Sequence, residues 1–206
     1  DYKDYEIIII DDYSSINYNN IIKFYKQTLN IQYYKLENNF GPGTSRKIGL
    51  NKANGSYIMF IDSDDELYDN TSIDKLMKEF KENNKLNMVS GLAYEELKDG
   101  SLKKRERNFI WVFGKIFKKK FLDDNKITFN DTRANEDNGF TTLVRLLTDQ
   151  YKFIDEIVYY WHYTEDSITR KDGNEYYFYS IEGYVINMIW VYEQCKLRNI
   201  DKGKKQ

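Results

Sequence analysis

The chain has 206 residues, 41% of them hydrophobic and 31% charged, with a formal net charge of -2. This composition excludes a disordered polymer, the near-balanced charge gives no reason to expect nucleic-acid binding, and no apolar run approaches the roughly 18 residues of a membrane span. The single cysteine, Cys195, excludes an internal disulfide and fits a reducing compartment, so a cytoplasmic protein with at most peripheral membrane contact is expected.

Residues 6–10 read as a β-branched strand that delivers Asp11 and Asp12 at its end, followed by a helix over about 20–28 and a strand over 31–36. A loop holding the only proline, Pro42, leads into a helix over about 44–53. Asn54-Gly55 then turns the chain into an apolar, β-rich run at 57–61. Such a run suits a strand covered on both faces, and it ends abruptly in Asp62, Ser63, Asp64 and Asp65. In open α/β sheets, ligands bind at the carboxyl ends of strands. Asp62 and Asp64 can face one cation if the chain leaves strand geometry at Ser63, and hard oxygen donors suit Mg²⁺ or Mn²⁺. A solvated turn is the plain alternative. An EF-hand is excluded: with Asp62 as its first position, Leu67 stands where the turn needs glycine and Ile73 where calcium needs a bidentate glutamate.

Ile73, Leu76, Met77 and Phe80 keep helical spacing behind Asn70 or Ser72 as cap, and strands follow at 88–94 and about 102–112 around an Asp99-Gly100 turn. Phe140, Leu143, Val144 and Leu147 mark a further helix that starts just after Asn135, Glu136 and Asp137, and carboxylates in a first turn are favoured by the helix dipole. Strands at 151–154 and 157–162 precede a long amphipathic segment over about 176–198. Its stripe of Tyr177, Ile181, Tyr184, Met188, Tyr192 and Cys195 is expected to pack on the domain, with a partner or membrane surface as the other use. Strands alternating with helices predict an α/β fold whose sheet is mostly parallel and flanked by helices.

Three groups of carboxylates thus stand at strand ends or at a helix start. The stretch Glu6-Ile-Ile-Ile-Ile-Asp-Asp-Tyr-Ser14, the loop and helix Asn39-Phe-Gly-Pro-Gly-Thr-Ser-Arg46 with Gly49, Ala53 and Gly55, and Tyr57-Ile-Met-Phe-Ile-Asp-Ser-Asp-Asp65 resemble the family 2 glycosyltransferases of the GT-A fold. Gly114-Lys-Ile-Phe-Lys118, Phe121-Leu122, Glu136-Asp137 with Phe140, and Ser167-Ile-Thr169 after Tyr159-Tyr-Trp-His162 extend the likeness to about Arg170. The resemblance implies a Rossmann-like GT-A domain over 1–170 with a C-terminal helical extension over 171–206. It also implies inverting transfer of a sugar from a nucleotide diphosphate, by default UDP, to an acceptor hydroxyl in a surface polysaccharide or glycoconjugate.

By the same resemblance Asp12, or less favourably Asp11, matches the carboxylate that recognises the nucleotide base. Arg46 matches an arginine near the nucleotide, and Asp62 and Asp64 match the DxD pair that holds Mn²⁺ or Mg²⁺ against the diphosphate. Asp137 matches the base that deprotonates the acceptor, with Glu136 as its support. His162 matches a position that in some members contacts metal or phosphate, although a lone histidine at a strand end is as readily structural. Trp111 and Trp161 are candidates to stack on sugar faces. The family's first strand and the helix after it have no counterpart ahead of Tyr5. Because the family sets that strand inside the sheet, its absence implies exposed strand edges. A non-catalytic module derived from a transferase and a sugar nucleotidyltransferase are the alternatives, the latter resting only on Gly41-Pro-Gly-Thr-Ser-Arg46.

Overall fold

Four successive isoleucines in β1 (Ile7–Asp11) pair in parallel with β2 (Ile31–Lys35), the two joined through a short helix α1 (Asn19–Tyr25). The structure, a computed structural model, describes residues 3–165 and 174–200, the first four of that second span by backbone alone. Helix α2 (Pro42–Lys52), with proline in its first turn where no amide hydrogen is needed, lies on β1 and leads to β3 (Tyr57–Met59). The two-residue β4 (Glu66–Leu67) and α3 (Ser72–Glu82) follow, then β5 (Met88–Glu96), β6 (Leu102–Arg105) and β7 (Lys115–Lys118). The chain closes with α4 (Lys119–Asp124), α5 (Glu136–Leu147), the long β8 (Tyr151–Trp161) and α6 (Asn174–Leu197).

The six-stranded sheet has the order β3-β7-β5-β8-β4, with β6 also on β5, and β1 and β2 form a separate two-stranded sheet. Apolar side chains cover both faces of the larger sheet. Phe117, Phe129, Phe140, Leu143 and Val144 form one core beneath α5, and Leu76, Met77, Phe80, Val89, Ile116 and Val158 form the other beneath α3. Phe129 and Phe140 stack at 4.2 Å, and Phe117 meets Phe140 edge-on at 5.3 Å, which fixes α5 against β7.

Three expectations change here. The sheet is mixed rather than mostly parallel: within it only β5 and β8 run parallel, because β7 returns antiparallel between β3 and β5. The strand expected to run to residue 112 ends at Arg105, where Asn108 takes over and its side-chain oxygen accepts from the N–H groups of Ile110 and Trp111 in a local turn. The aromatic stripe expected to seat α6 is mostly outside: Ile181, Tyr184 and Tyr192 are about half exposed, while Asn187, Val191 and Cys195 are buried. The reason is close approach. A Cβ at Gly183 would stand 2.5 Å from the Ala134 carbonyl oxygen, so only glycine lets α6 come this near the segment ahead of α5. Tyr177, like Ser167, Ile168 and Thr169, lies outside the side chains described.

Candidate active site

The strand β3 stops at Met59, and Phe60 carries the chain into the carboxylate turn at 62–65, where Asp65 N–H donates back to the Asp62 carbonyl at 3.1 Å. That turn is held from behind by a phenol. Tyr159, fully buried on β8, accepts from Asp62 N–H at 3.1 Å and donates to Asp65 Oδ2 at 2.8 Å. Asp65 Oδ1 accepts from His162 N–H at 3.0 Å, and Thr164 Oγ1 lies 3.2 Å from Asp64 Oδ2. Burial first, then its like-charged neighbours Asp62 and Asp64, push Asp65 up to about 6 against the Tyr159 and His162 bonds, and the same setting raises the Tyr159 phenol well above its usual range. The His162 ring lies between Glu66, 3.3 Å from Nε2, and Glu96, 3.4 Å from Nδ1. The segment after β8 is therefore latched onto the carboxylate turn.

Arg46, on α2, reaches this turn from the opposite side. One of its terminal nitrogens donates to Asp62 Oδ1 at 2.5 Å and the other to Glu136 Oε1, so a single planar cation joins the end of β3 to the first turn of α5. Burial alone would lower its pKa, but Asp62 and Glu136 hold it firmly charged. Close approach again makes the geometry feasible: a Cβ on Gly43 would fall 2.4 Å from the Asn130 carbonyl oxygen and 3.2 Å from Glu136 Cβ, so α2 meets the segment ahead of α5 only with glycine there. Burial raises Glu136 above the usual carboxylate range in spite of Arg46. Asp137, next to it, is pushed up to about 7 by burial and then by the charge of Glu136.

The first turn of α5 has no side-chain cap, and Asn135 before it adopts a left-handed φ of 59°. Its amide instead donates to Ser180 of α6, at 2.8 Å to the carbonyl and 3.2 Å to Oγ. Asn187 of α6, wholly buried, donates to Thr132 Oγ1 at 2.8 Å and the Ala134 carbonyl at 3.2 Å. Helix α6 is thus the wall against which the segment leading into Glu136 and Asp137 is set.

At the end of β1 the two carboxylates face different surroundings. Asp11 is buried, accepting from the Tyr33 hydroxyl at 2.5 Å and Ser14 N–H at 2.7 Å. Burial would raise it, but these bonds keep it below its usual value, and Tyr33 is driven up to about 12. Asp12 accepts from Phe40 N–H and Gly41 N–H at 2.7 Å each, fastening the loop ahead of α2. Arg133 donates to Asn39 Oδ1 at 2.6 Å and to the Asn39 carbonyl at 2.7 Å, which ties that loop to the one before α5.

The structure brings Arg46, Asp62 and Glu136 into direct contact, sets Asp137 in the field of all three, and places Asp64 and His162 on the latched side of the same turn. Among the described residues, no three His, Cys, Asp or Glu side chains converge tightly enough to enclose an ion by themselves. Among the described residues, the second oxygen of Asp62 and Oδ1 of Asp64 have no protein hydrogen-bond partner. That donor set fits a cation such as Mg²⁺ or Mn²⁺, which takes one or two carboxylates and completes its shell with phosphate oxygens and water. Trp111 is stacked on Phe113 at 5.3 Å, and Arg105 lies over both Trp111 and Trp161, so much of these ring faces is already covered. Tyr159 and Asn187 frame the site without having been given a role from the sequence, while Asp65, read there as part of the carboxylate cluster, is the member that takes the Tyr159 and His162 bonds.

A sequence model described as Glycosyl transferase family 2 matches residues 1–135, ending one residue before Glu136. The poly(ribitol-phosphate) beta-N-acetylglucosaminyltransferase TarP of Staphylococcus aureus is 29% identical over 198 residues, covering 84% of this chain and 60% of TarP. Residues 1-349 of S. aureus TarS, crystallised with UDP-GlcNAc, match with a TM-score of 0.71 at 22% identity, over 84% of this chain and 55% of that one. The mannosyltransferase PcManGT of Pyrobaculum calidifontis, in complex with GDP-Man and Mn²⁺, matches with a TM-score of 0.56 at 13% identity, over 74% of this chain and 46% of that one. These two structures share the fold. The chain spans little more than half the length of TarP and of the TarS structure.

Proposed function

Because the chain belongs to glycosyltransferase family 2, we propose that it is an inverting, metal-dependent glycosyltransferase acting on a UDP-sugar. The acceptor is a hydroxyl of a surface polysaccharide or glycoconjugate. The observation that carries this reading is the Arg46 bridge, which joins the carboxylate turn after β3 to the helix start that holds Asp137. Donor and acceptor chemistry need two such groups of carboxylates side by side, and an isolated solvated turn would not be clamped to a second one.

In this reading Asp137 accepts the proton of the acceptor hydroxyl as its oxygen attacks the anomeric carbon. A base poised at about 7 suits that task at neutral pH. Arg46 and Glu136 keep the base at a fixed distance from Asp62, which, with Asp12, takes the nucleotide side of the donor. Asp12 keeps acceptor capacity beyond its two loop bonds, since an ionised carboxylate has about four lone-pair sites. Asp11 and Arg46 support the donor site from behind, and His162 with Thr164 positions the turn near the diphosphate. Asp62 and Asp64 would hold Mn²⁺ or Mg²⁺, which supplies positive charge to the departing diphosphate.

Release of UDP from a panel of UDP-sugars, measured with Mn²⁺, with Mg²⁺ and after chelation, tests the proposal. Turnover that requires the cation supports it. Pyrophosphate release from UTP and a sugar phosphate would select a nucleotidyltransferase instead, and silence in both assays from a folded chain would select a binding module. Among the described residues no helix is long and apolar enough to cross a membrane.

A further inference from the structure

A helix lying on a domain needs apolar residues on one side only, and its outward side is normally polar. Helix α6 departs from this. From Gly183 to Tyr192 it carries no charged residue, and its inner side is already filled by Gly183, Asn187, Val191 and Cys195. Its outward side still holds Phe178, Val185, Ile189 and Tyr192, with Phe178 72% and Ile189 54% exposed. Glu182 and Lys196, both exposed, fall in the same row, so that residues 178, 182, 185, 189, 192 and 196 succeed one another at steps of 4, 3, 4, 3 and 4. That alternation is the seam of a two-stranded coiled coil, in which each side chain enters a gap between four others on a facing helix. Exposed apolar surface of this extent marks a place where something docks.

We infer that α6 pairs with α6 of a second copy of this chain, antiparallel, along this seam. The charged positions select both the occupant and its direction. Glu182 stands at one end of the apolar stretch and Lys196 beyond the other, and among the described residues neither has an ion-pair partner; the Lys196 ammonium lies 5.7 Å over the Tyr192 ring. In an antiparallel pair centred at the level of Asn187, Val185 meets the partner's Ile189 and Phe178 meets the partner's Lys196. Glu182 meets the partner's Tyr192, one turn from the partner's Lys196. Each contact occurs twice, as a two-fold axis requires. An ammonium over a ring and a carboxylate near an ammonium are both favourable. Parallel pairing would instead set Glu182 on Glu182 and Lys196 on Lys196. An anionic bilayer fits less well, because a helix seated on one carries basic residues beside its apolar face, and here Glu182 and Glu193 stand there. From residue 178 to residue 196 the seam is about 27 Å long, so the paired area is at the small end of specific interfaces and the association is reversible. Pairing backs the helix whose inner side seats the segment leading into Glu136 and Asp137. It holds whether or not the chain transfers a sugar.

Sedimentation velocity of the full chain, from about 1 to about 200 µM, should show a reversible monomer–dimer equilibrium. Ile189→Lys, at an outward position, should leave only monomer while keeping the wild-type circular dichroism. Glu182→Lys should raise the dissociation constant about tenfold, and adding Lys196→Glu should bring it back to within about threefold of wild type. Direction is read by mixing Val185→Cys with Ile189→Cys under a mild thiol oxidant, which takes two electrons and two protons from each pair of thiols it joins. Intact mass should show the mixed disulfide dimer in excess over either homodimer, because only antiparallel pairing sets residue 185 beside the partner's residue 189. Cys195 is buried and stays out of this reaction. A chain that remains monomeric at every concentration overturns the inference, as does a dimer that survives Ile189→Lys. So does a charge swap that fails to restore pairing, or homodimer disulfides in place of the mixed one. Binding of monomer to phosphatidylglycerol vesicles that is lost in Ile189→Lys would make a bilayer the occupant and overturn it too.

Discussion

Replacing Arg46 by methionine asks how much of the site depends on one cation. Its side chain is 17% exposed, that of Glu136 is 7% exposed and that of Asp62 35%. Removing one partner of a buried ion pair leaves the other charge unanswered, at a cost of about 3–5 kcal/mol. For a chain of this size each kcal/mol is about 2–4 °C in melting temperature, so Arg46→Met should melt about 6–20 °C below wild type near pH 8. The pH dependence has a definite sign. Burial already raises Glu136 above its usual value and Arg46 opposes that rise, so the variant raises it further. A carboxyl whose folded-state pKa is raised favours the fold at low pH and loses that contribution as pH rises through the folded value. The deficit of Arg46→Met should therefore shrink toward pH 5. Adding Glu136→Gln should recover most of the loss, giving a large coupling in a double-mutant cycle of thermal melts. A single variant within about 2 °C of wild type near pH 8, or no recovery on adding Glu136→Gln, would refute the clamp.

Asp137→Asn should lower UDP release about 10²–10⁴-fold with the fold intact. It should also melt higher than wild type near pH 8 but not near pH 5, because a carboxyl held up at about 7 loses its stabilising contribution as it ionises in the folded chain. Tyr159→Phe removes the hydroxyl shared by Asp62 N–H and Asp65, which should cost about 1–3 kcal/mol in urea unfolding and weaken UDP binding in the presence of Mn²⁺, measured by calorimetry. Gly43→Ala drives a methyl to 2.4 Å from a backbone oxygen and should destabilise by about 1–3 kcal/mol or more in the same unfolding assay, whereas Gly49→Ala meets only Ile10 Cγ1 at 3.5 Å and should stay near wild type.

The parts of the site readable from the chain were those with local signatures. Asp62 to Asp65 stand at the end of an apolar run, and Glu136 and Asp137 just ahead of a helical spacing, so both groups could be found without a structure. What joins them spans long distances in sequence, from Arg46 to Glu136 and from Tyr159 to Asp65, and neither pairing leaves a local pattern. Arg46 was expected beside a nucleotide, and its guanidinium here contacts two protein carboxylates. Helix α6 was recognised as a helix, but its inner face is set by Gly183 and Asn187 rather than by the tyrosines. Apolar spacing detects bulk, and this contact depends on smallness and an amide. Strand direction was misjudged because alternation of helices and strands does not reveal that β7 is inserted between β3 and β5. The parallel pairings of β1 with β2, across α1, and of β5 with β8 agree with the expected direction.

The seating of α6 on the loop ahead of α5 carries a consequence for shortened forms of the polypeptide. A chain cut ahead of Asn174 would keep both aromatic cores nearly whole, yet would bare the side of the 130–139 segment that now meets Ser180, Gly183 and Asn187. Such a truncation should still fold and, under the proposed function, bind a nucleotide, while Asp137 is held less firmly. Loss of rate ahead of loss of affinity would be its signature.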